Sequence, residues 1–381
     1  MRFVMFYQSL VSDWNHGNAH FLRGVIRELT RRGHTVTVHE PLTGWSRRNL
    51  VAEHGTGPLA AFGRAYPELR GVSVAYASAS AVDLDAALAG ADVVIVHEWS
   101  DPALVRRIGE QRRRSSAGAG GYTLLFHDTH HRSVTDPAAM AGYDLSAYDG
   151  VLAFGARIRD IYLDRGWARA AWVWHEAADT SLFKPLPGPP EGDLVWIGNW
   201  GDDERAAELT EFLIEPVRAL GLRAVVYGVR YPEAALAALA SAGIEYRGWL
   251  PNFEVPSVFA RFRVTVHVPR AAYAGALSGI PTIRPFEALA CGIPLVSAPW
   301  ADDEHLFEAG QDYLVARDGA EMRRHLAAVL SKGSLSARLS ATGRRTIGAR
   351  HTCAHRVNEL LGIVGELAAD QPMLERAVAT S

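Results

Sequence analysis

Short apolar runs alternate with stretches of helical spacing along this chain, and the pattern occurs twice, on either side of one Pro/Gly-rich segment. In the first half the runs are Phe3–Tyr7, Thr35–His39, Asp92–His97, Thr123–Phe126 and Tyr148–Phe154. In the second they are Leu194–Gly198, Arg223–Val229, Arg263–Val268 and Ile293–Ser297. Unbroken apolar strands are buried on both faces, and strands separated by helices pair in parallel. Leu186-Pro187-Gly188-Pro189-Pro190-Glu191-Gly192 continues neither kind of element and marks the boundary between halves. The chain has 381 residues, more than one core usually organises. The reading is α/β, with two doubly wound Rossmann-like domains facing a cleft, over 1–185 and 186–350.

Composition narrows the function classes. Hydrophobic residues make up 48% and charged residues 21%, as in a globular protein, and a net charge of −3 offers no global attraction for nucleic acid or an anionic membrane. Met1-Arg2 leads directly into a strand, not into a signal peptide's apolar core, and no apolar run approaches bilayer length. Cys291 and Cys353 form no metal or redox spacing. The expectation is a cytoplasmic protein with reduced thiols and no integral membrane segment.

The most informative stretch is Thr282–Ser297, TIRPFEALACGIPLVS. Pro285 suits the first position of a helix, Glu287 then falls in its first turn, and Gly292 supplies a left-handed stop before a buried strand. A helix N-terminus gathers unpaired N–H groups and partial positive charge, which suits phosphate. Arg284 adds a planar cationic fork, and an acidic residue nearby can accept a ribose diol. Nucleotide binding follows.

Arg284-Pro285-Phe286-Glu287-Ala288-Leu289-Ala290-Cys291-Gly292-Ile293-Pro294 resembles the R-x-F-E-A-L-A-x-G-x-P block of GT-B glycosyltransferases, of the glycogen-synthase-like group 1 superfamily and its CgeB-like branch. The resemblance implies that Glu287 is the second Glu of the E-x7-E pattern and binds the ribose; Gly279 stands where that pattern has its first Glu. It implies that Gly17 and Asn18, in the turn after the first strand, bring backbone N–H groups to the donor diphosphate. Arg205 stands near the usual diphosphate-holding basic pair, whose first place is taken by Asn199-Trp200, after Asp202 and Asp203 open a helix. Tyr246–Pro251, with Trp249 and Leu250, resembles the nucleobase loop, and Tyr227, on the Arg223–Val229 strand, is counted with the donor-binding residues. His127 matches the His that lines the donor sugar. The segment 351–368 holds a helix of the kind that crosses back to the N-terminal domain in such enzymes, and 369–381 is read as a tail.

Other features bear on mechanism. His127-Asp128-Thr129-His130-His131 follows a strand, where ligands of open α/β sheets sit, but its spacing fits no familiar zinc motif, and no metal is expected. The arginines at 106, 107, 112, 113 and 114 read as a solvated helix face, and Ser115–Gly121 as a connector. Asp302–Phe307 and Ala320–Leu330 read as helices; residues 40–90 give little beyond a helix near 83–89. The expected activity is transfer of a sugar from a nucleoside-diphosphate donor to a small-molecule or lipid-like acceptor, metal-independent and retaining. His127, Arg284 and Arg205 form the catalytic set, and Glu98, Asp128 or His16 is available as base to an inverting enzyme. No cofactor beyond the donor is implied. A nucleotide-sugar 2-epimerase would share the architecture and consume its donor without acceptor; a silent sugar-nucleotide-binding partner would bind without turnover.

Overall fold

The computed structural model describes residues 1–116, 121–201 and 204–379. Residues 117–120 of the expected connector, Asp202 and Asp203, and the end of the expected tail at 380–381 lie outside the described residues. The chain divides into two compact units. One comprises Met1–Ser12, Leu22–His175 and the segment from Cys353; the other comprises Asp13–Phe21 and Glu176–Thr352.

The first unit holds a parallel sheet of β1 (Arg2–Phe6), β2 (Thr35–Pro41), β3 (Ser73–Tyr76), β4 (Val93–His97), β5 (Thr123–Asp128), β6 (Gly150–Ala153) and β7 (Ala171–Val173). Their order is β3-β2-β1-β4-β5-β6-β7, so the winding reverses between β1 and β4. Strands β4 and β5 are buried at every position, as their unbroken apolar runs require. Edge strand β3 is only half-buried, and its sequence Ser-Val-Ala-Tyr carries no apolar run that would disclose it. A helix over Cys353–Ala379 closes this unit: the indole of Trp174 donates to the Arg356 carbonyl at 2.8 Å, and Arg32 donates to the Ala354 carbonyl at 3.1 Å.

The second unit holds β8 (Leu194–Ile197), β9 (Ala224–Tyr227), β10 (Glu245–Tyr246), β11 (Val264–His267), β12 (Leu295–Ser297) and β13 (Leu314–Val315), in the order β10-β9-β8-β11-β12-β13, all parallel. Alternate residues feed two cores. Leu194, Trp196, Val226, Val264 and Val266 face one layer with Leu213 and Leu326; Val195, Ile197, Val225 and Leu295 face the other with Phe259 and Leu289. Helices on both faces, with a reversal between β8 and β11, give the expected doubly wound architecture in each unit.

Three local expectations change. The helix of the informative stretch runs over Ile283–Cys291, so Pro285 is its third residue and Glu287 lies in its second turn. Proline is tolerated there because the first four N–H groups of a helix lack intrahelical partners anyway. Gly292 ends it in the left-handed region, at φ 72°, as read. Asp302–Phe307 is not helical. The Asp302 carboxylate instead accepts from the N–H groups of Leu306 and Phe307, at 2.9 and 2.7 Å, and His305 sits at φ 53°. A side chain that satisfies those amides replaces a helix with a turn. Finally, the helix Gly333–Arg350 went unread because Gly, Ser and Thr dilute its apolar stripe of Leu339 and Ile347. Gly343 is small there for a reason: a Cβ would stand 2.7 Å from Leu289.

Beyond β8 and β9 the backbones converge, and a Cβ on Gly228 would fall 2.0 Å from the Gly198 carbonyl oxygen. Gly228→Ala is expected to cost about 1–3 kcal/mol more than Gly243→Ala, whose φ of +72° is left-handed but whose surroundings are open. Urea unfolding of both variants measures the difference, and equal losses would show that the two loops separate freely.

Candidate functional site

Within the second unit, the C-terminal ends of β8 and β9 and the loops beyond them enclose a pocket lined by Asn15, Gly17, Asn199, Trp249, Asn252 and Arg284, among others. This is where ligands sit in a doubly wound sheet. Two helices begin at its wall. One, Asn18–Arg31, follows Gly17; the other, Ile283–Cys291, carries Arg284 as its second residue. Their N-terminal ends bring two partial positive charges toward one space, although the Ala19 and His20 N–H groups already donate to the His16 and Gly17 carbonyls, at 3.2 and 3.4 Å. A Cβ on Gly17 would touch Ile283 at 3.2 Å, so the two helix starts pack closely.

The wall is cross-braced. Asp13 accepts from the Trp249 indole N–H and from the Asn252 backbone N–H, both at 3.1 Å. The Asn199 side chain accepts from the Val229 N–H at 2.9 Å and donates to the Asn15 amide oxygen. Left-handed, non-glycine residues flank this wall: Asn15 at φ 45°, Arg230 at φ 62° and Thr282 at φ 59°. Backbone held in such regions is stored strain that the surroundings must impose.

Of the residues singled out from sequence, His16, Gly17, Asn199, Trp249, Leu250 and Arg284 meet in this pocket. Glu287 does not line it. Its side chain is 0% exposed and lies behind Arg284 and Asn252, which do line it. Asn252 donates to Oε1 at 2.7 Å, Nδ1 of His20 lies 2.9 Å from the same oxygen, and Arg284 pairs with Oε2. Burial alone would raise this carboxyl, but Arg284, His20 and Asn252 together hold it below its ordinary value. Arg205 is buried and also outside the lining. Its guanidinium donates to the carbonyls of Val268 at 2.7 Å and Trp200 at 3.3 Å, and to that of Asn199, tying the loops after β8 and β11 together. Asn18 is buried, its amide 3.3 Å from the Glu176 carboxylate, and Tyr227 packs in the core with its hydroxyl accepting from Arg247 at 3.1 Å. At Gly279, the place of the expected first carboxylate, φ is +90° and the side chain of Glu304 lies 3.2 Å from where a Cβ would stand.

His127 belongs to the other unit, at the end of β5. It is fully buried, hydrogen-bonded through Nδ1 to the Tyr7 hydroxyl at 2.6 Å, and packed 4.8 Å from the Trp174 ring. Burial pushes its pKa down to about 3, so the imidazole is neutral at physiological pH. Beside it, Asp128 accepts from the Tyr162 hydroxyl and the His130 N–H, both at 2.9 Å, and Glu98 pairs with Arg132. Among the described residues no group of three His, Cys, Asp or Glu side chains is arranged to hold a metal ion, and no helix is long and apolar enough to cross a membrane.

The sequence missed Asp13, His20, Asn252 and Glu176. Each works through a partner far away in the chain, and none stands in a motif; only the position of Asp13 and His20 on either side of the Gly17 turn marks them.

Comparison with known proteins now fits this geometry. Residues 205–362 match the family described as "Glycosyl transferase-like". No curated protein sequence matches the chain. Among solved structures it is similar to a sucrose-phosphate synthase from Thermosynechococcus elongatus, at 12% identity and a TM-score of 0.64, covering 97% of this chain and 99% of that one. It is similar also to an alpha-glucosyltransferase in complex with UDP and a 13-mer DNA, at 12% identity and a TM-score of 0.68, covering 96% and 100%. A third is T4 phage BGT in complex with UDP and Mn2+, at 10% identity and a TM-score of 0.59, covering 96% and 99%. The chain has the GT-B fold of glycosyltransferases and carries a glycosyl transferase-like segment over most of its second unit.

Glu176 gives a pH test of the buried network. Burial raises its carboxyl from the ordinary 4.5 to about 8, opposed by the Asn18 amide. Between those values the folded protein holds a proton that the unfolded chain has released, so this group's contribution to stability falls as pH rises. Glu176→Gln, which cannot ionise, is expected to gain about 1 kcal/mol or more relative to wild type between about pH 5 and pH 8. Denaturant unfolding at both pH values checks this, and a constant difference would show that Glu176 ionises normally.

Proposed function

We propose that this protein is a glycosyltransferase that moves a sugar from a nucleoside-diphosphate donor bound in the pocket of the second unit. The observation that carries the reading is Arg284 beside two helix N-termini in one pocket at the C-terminal ends of parallel strands. Breaking the bond between the sugar's anomeric carbon and the diphosphate leaves negative charge on the leaving phosphate. Fixed N–H groups and a guanidinium at that point lower the barrier because they need no rearrangement as the charge grows. Two of the structures to which the chain is similar, the alpha-glucosyltransferase and T4 phage BGT, are complexes with UDP, which supports a nucleoside diphosphate as the ligand class.

In this reading the backbone N–H groups of Gly17 and Asn18 meet the diphosphate with Arg284, and Trp249 with Leu250 receives the base. Glu287 binds the ribose diol, and His127, the neutral and buried histidine at the end of β5, is the first-unit residue on which turnover depends. Arg205 braces the loops that carry Asn199 and Val268 and makes no phosphate contact. The acceptor is a small or lipid-like hydroxyl compound, since a net charge of −3 gives no field for a polyanion. The reaction retains configuration and proceeds without a metal, in the cytoplasm, and the chain falls in the CgeB-like branch.

A melting-temperature screen against UDP, GDP, ADP, CMP and dTDP tests the reading first. At a hundredfold excess over Kd a true ligand adds about 2.7 kcal/mol, which one diphosphate is expected to show. Glu287→Ala is expected to weaken that ligand by about 1.5–3 kcal/mol, the worth of a charged hydrogen bond. A flat screen, or unchanged affinity in the variant, overturns the assignment. His127→Ala is expected to cut turnover by about 10²-fold or more while the free diphosphate binds as before; parallel loss of both would show that His127 serves the fold and not the reaction.

A further inference from the structure

Glu287 can serve a ribose only if something moves. A carboxylate offers roughly four lone-pair sites. Oε1 already meets Asn252 and His20, and Oε2 meets Arg284. His20 is pinned from behind, because its Nε2 accepts from the Asp179 N–H at 2.9 Å, which leaves Nδ1 as the protonated nitrogen facing Glu287. Asn252 is held through its own N–H by Asp13. Arg284 differs from both: it lies at the pocket wall, its side chain is 19% exposed, and its long stem reaches Glu287 from three residues earlier on the same helix. The guanidinium covers the carboxylate on the side from which a ligand arrives.

Resting on the donor-site reading above, we propose that Arg284 is a shutter over Glu287. A diphosphate in the pocket draws the guanidinium off the carboxylate, and only then is Glu287 open to a nucleoside's vicinal hydroxyls. Pairing with Glu287 and capture of phosphate are competing uses of one group. A nucleoside must break the Arg284–Glu287 pair with nothing to offer the displaced cation, whereas a diphosphate gives it a stronger partner. Arg284 thereby selects phosphorylated nucleosides twice, by attracting the phosphate and by obstructing the bare nucleoside. Phosphate and ribose recognition become positively coupled, because one event prepares the site for the other.

The test is calorimetric titration of wild type, Arg284→Ala and Arg284→Gln with two pairs of probes, UDP with uridine and GDP with guanosine. Melting temperatures confirm that the variants fold, and the glutamine variant, which keeps a neutral contact to Glu287, stands in if the alanine variant does not. In the pair whose diphosphate binds wild type, Arg284→Ala is expected to weaken the diphosphate about 10-fold or more and to tighten the nucleoside about 5- to 10-fold, shifts of the size a charge-assisted hydrogen bond commands. Arg284→Gln shifts both in the same directions by less. A nucleoside affinity that stays constant or falls in the variants overturns the shutter and leaves the donor site standing. If neither UDP nor GDP binds wild type, the ADP–adenosine and dTDP–thymidine pairs are titrated in the same way, and failure of all four diphosphates to bind overturns the donor site and the shutter together.

Discussion

A carboxylate removed from water must be given partners by the fold, or it gives up its charge. Glu287 keeps its charge, and the fold of the second unit shows what that demands. Its partners come from the helix after the first turn, from the loop after β10 and from its own helix, and the segment through Asp179 fixes one of them from behind. Breaking such a buried pair by removing one member leaves an uncompensated charge, which is far more damaging than never having built the pair. The packing of Gly17 against Ile283 and the clamp of Asp13 on Trp249 and Asn252 hold these pieces in register around the carboxylate.

The neighbouring carboxylate takes the opposite course. Glu176 is buried with the Asn18 amide beside it and is pushed upward, while Glu287, with a guanidinium in contact, is held down. Two similar side chains thus differ in charge at neutral pH because one has a cation and the other has an amide. The first unit repeats the theme with His127, which keeps a neutral ring by being walled in with Tyr7 and Trp174.

Much of this architecture was legible. Strands buried on both faces announce themselves as unbroken apolar runs, so β1, β4, β5, β8 and β11 can be read directly, and Arg284 of the motif block lies at the wall of a pocket. What failed to show was of two kinds. Half-buried pieces such as β3 carry no periodic signal, and local side-chain bonds such as those of Asp302 override a helical pattern without altering it. The burial of Glu287 has the same root in tertiary contact: its place in the motif is clear, but its partners His20 and Asn252 lie far off in sequence.

The assignment of Asp13–Phe21 to the second unit, and of the helix from Cys353 to the first, has a consequence for how the polypeptide is made. Neither unit is a continuous piece of chain. During synthesis the second sheet waits on no later residues, but the segment that supplies its His20 emerges first and must stay available while the whole first sheet is translated. The first unit receives its closing helix, from Cys353, only after the second sheet has been translated. The two units are therefore interleaved in time as well as in sequence, and a fragment cut at residue 176 would leave Glu287 without His20 and Trp249 without Asp13.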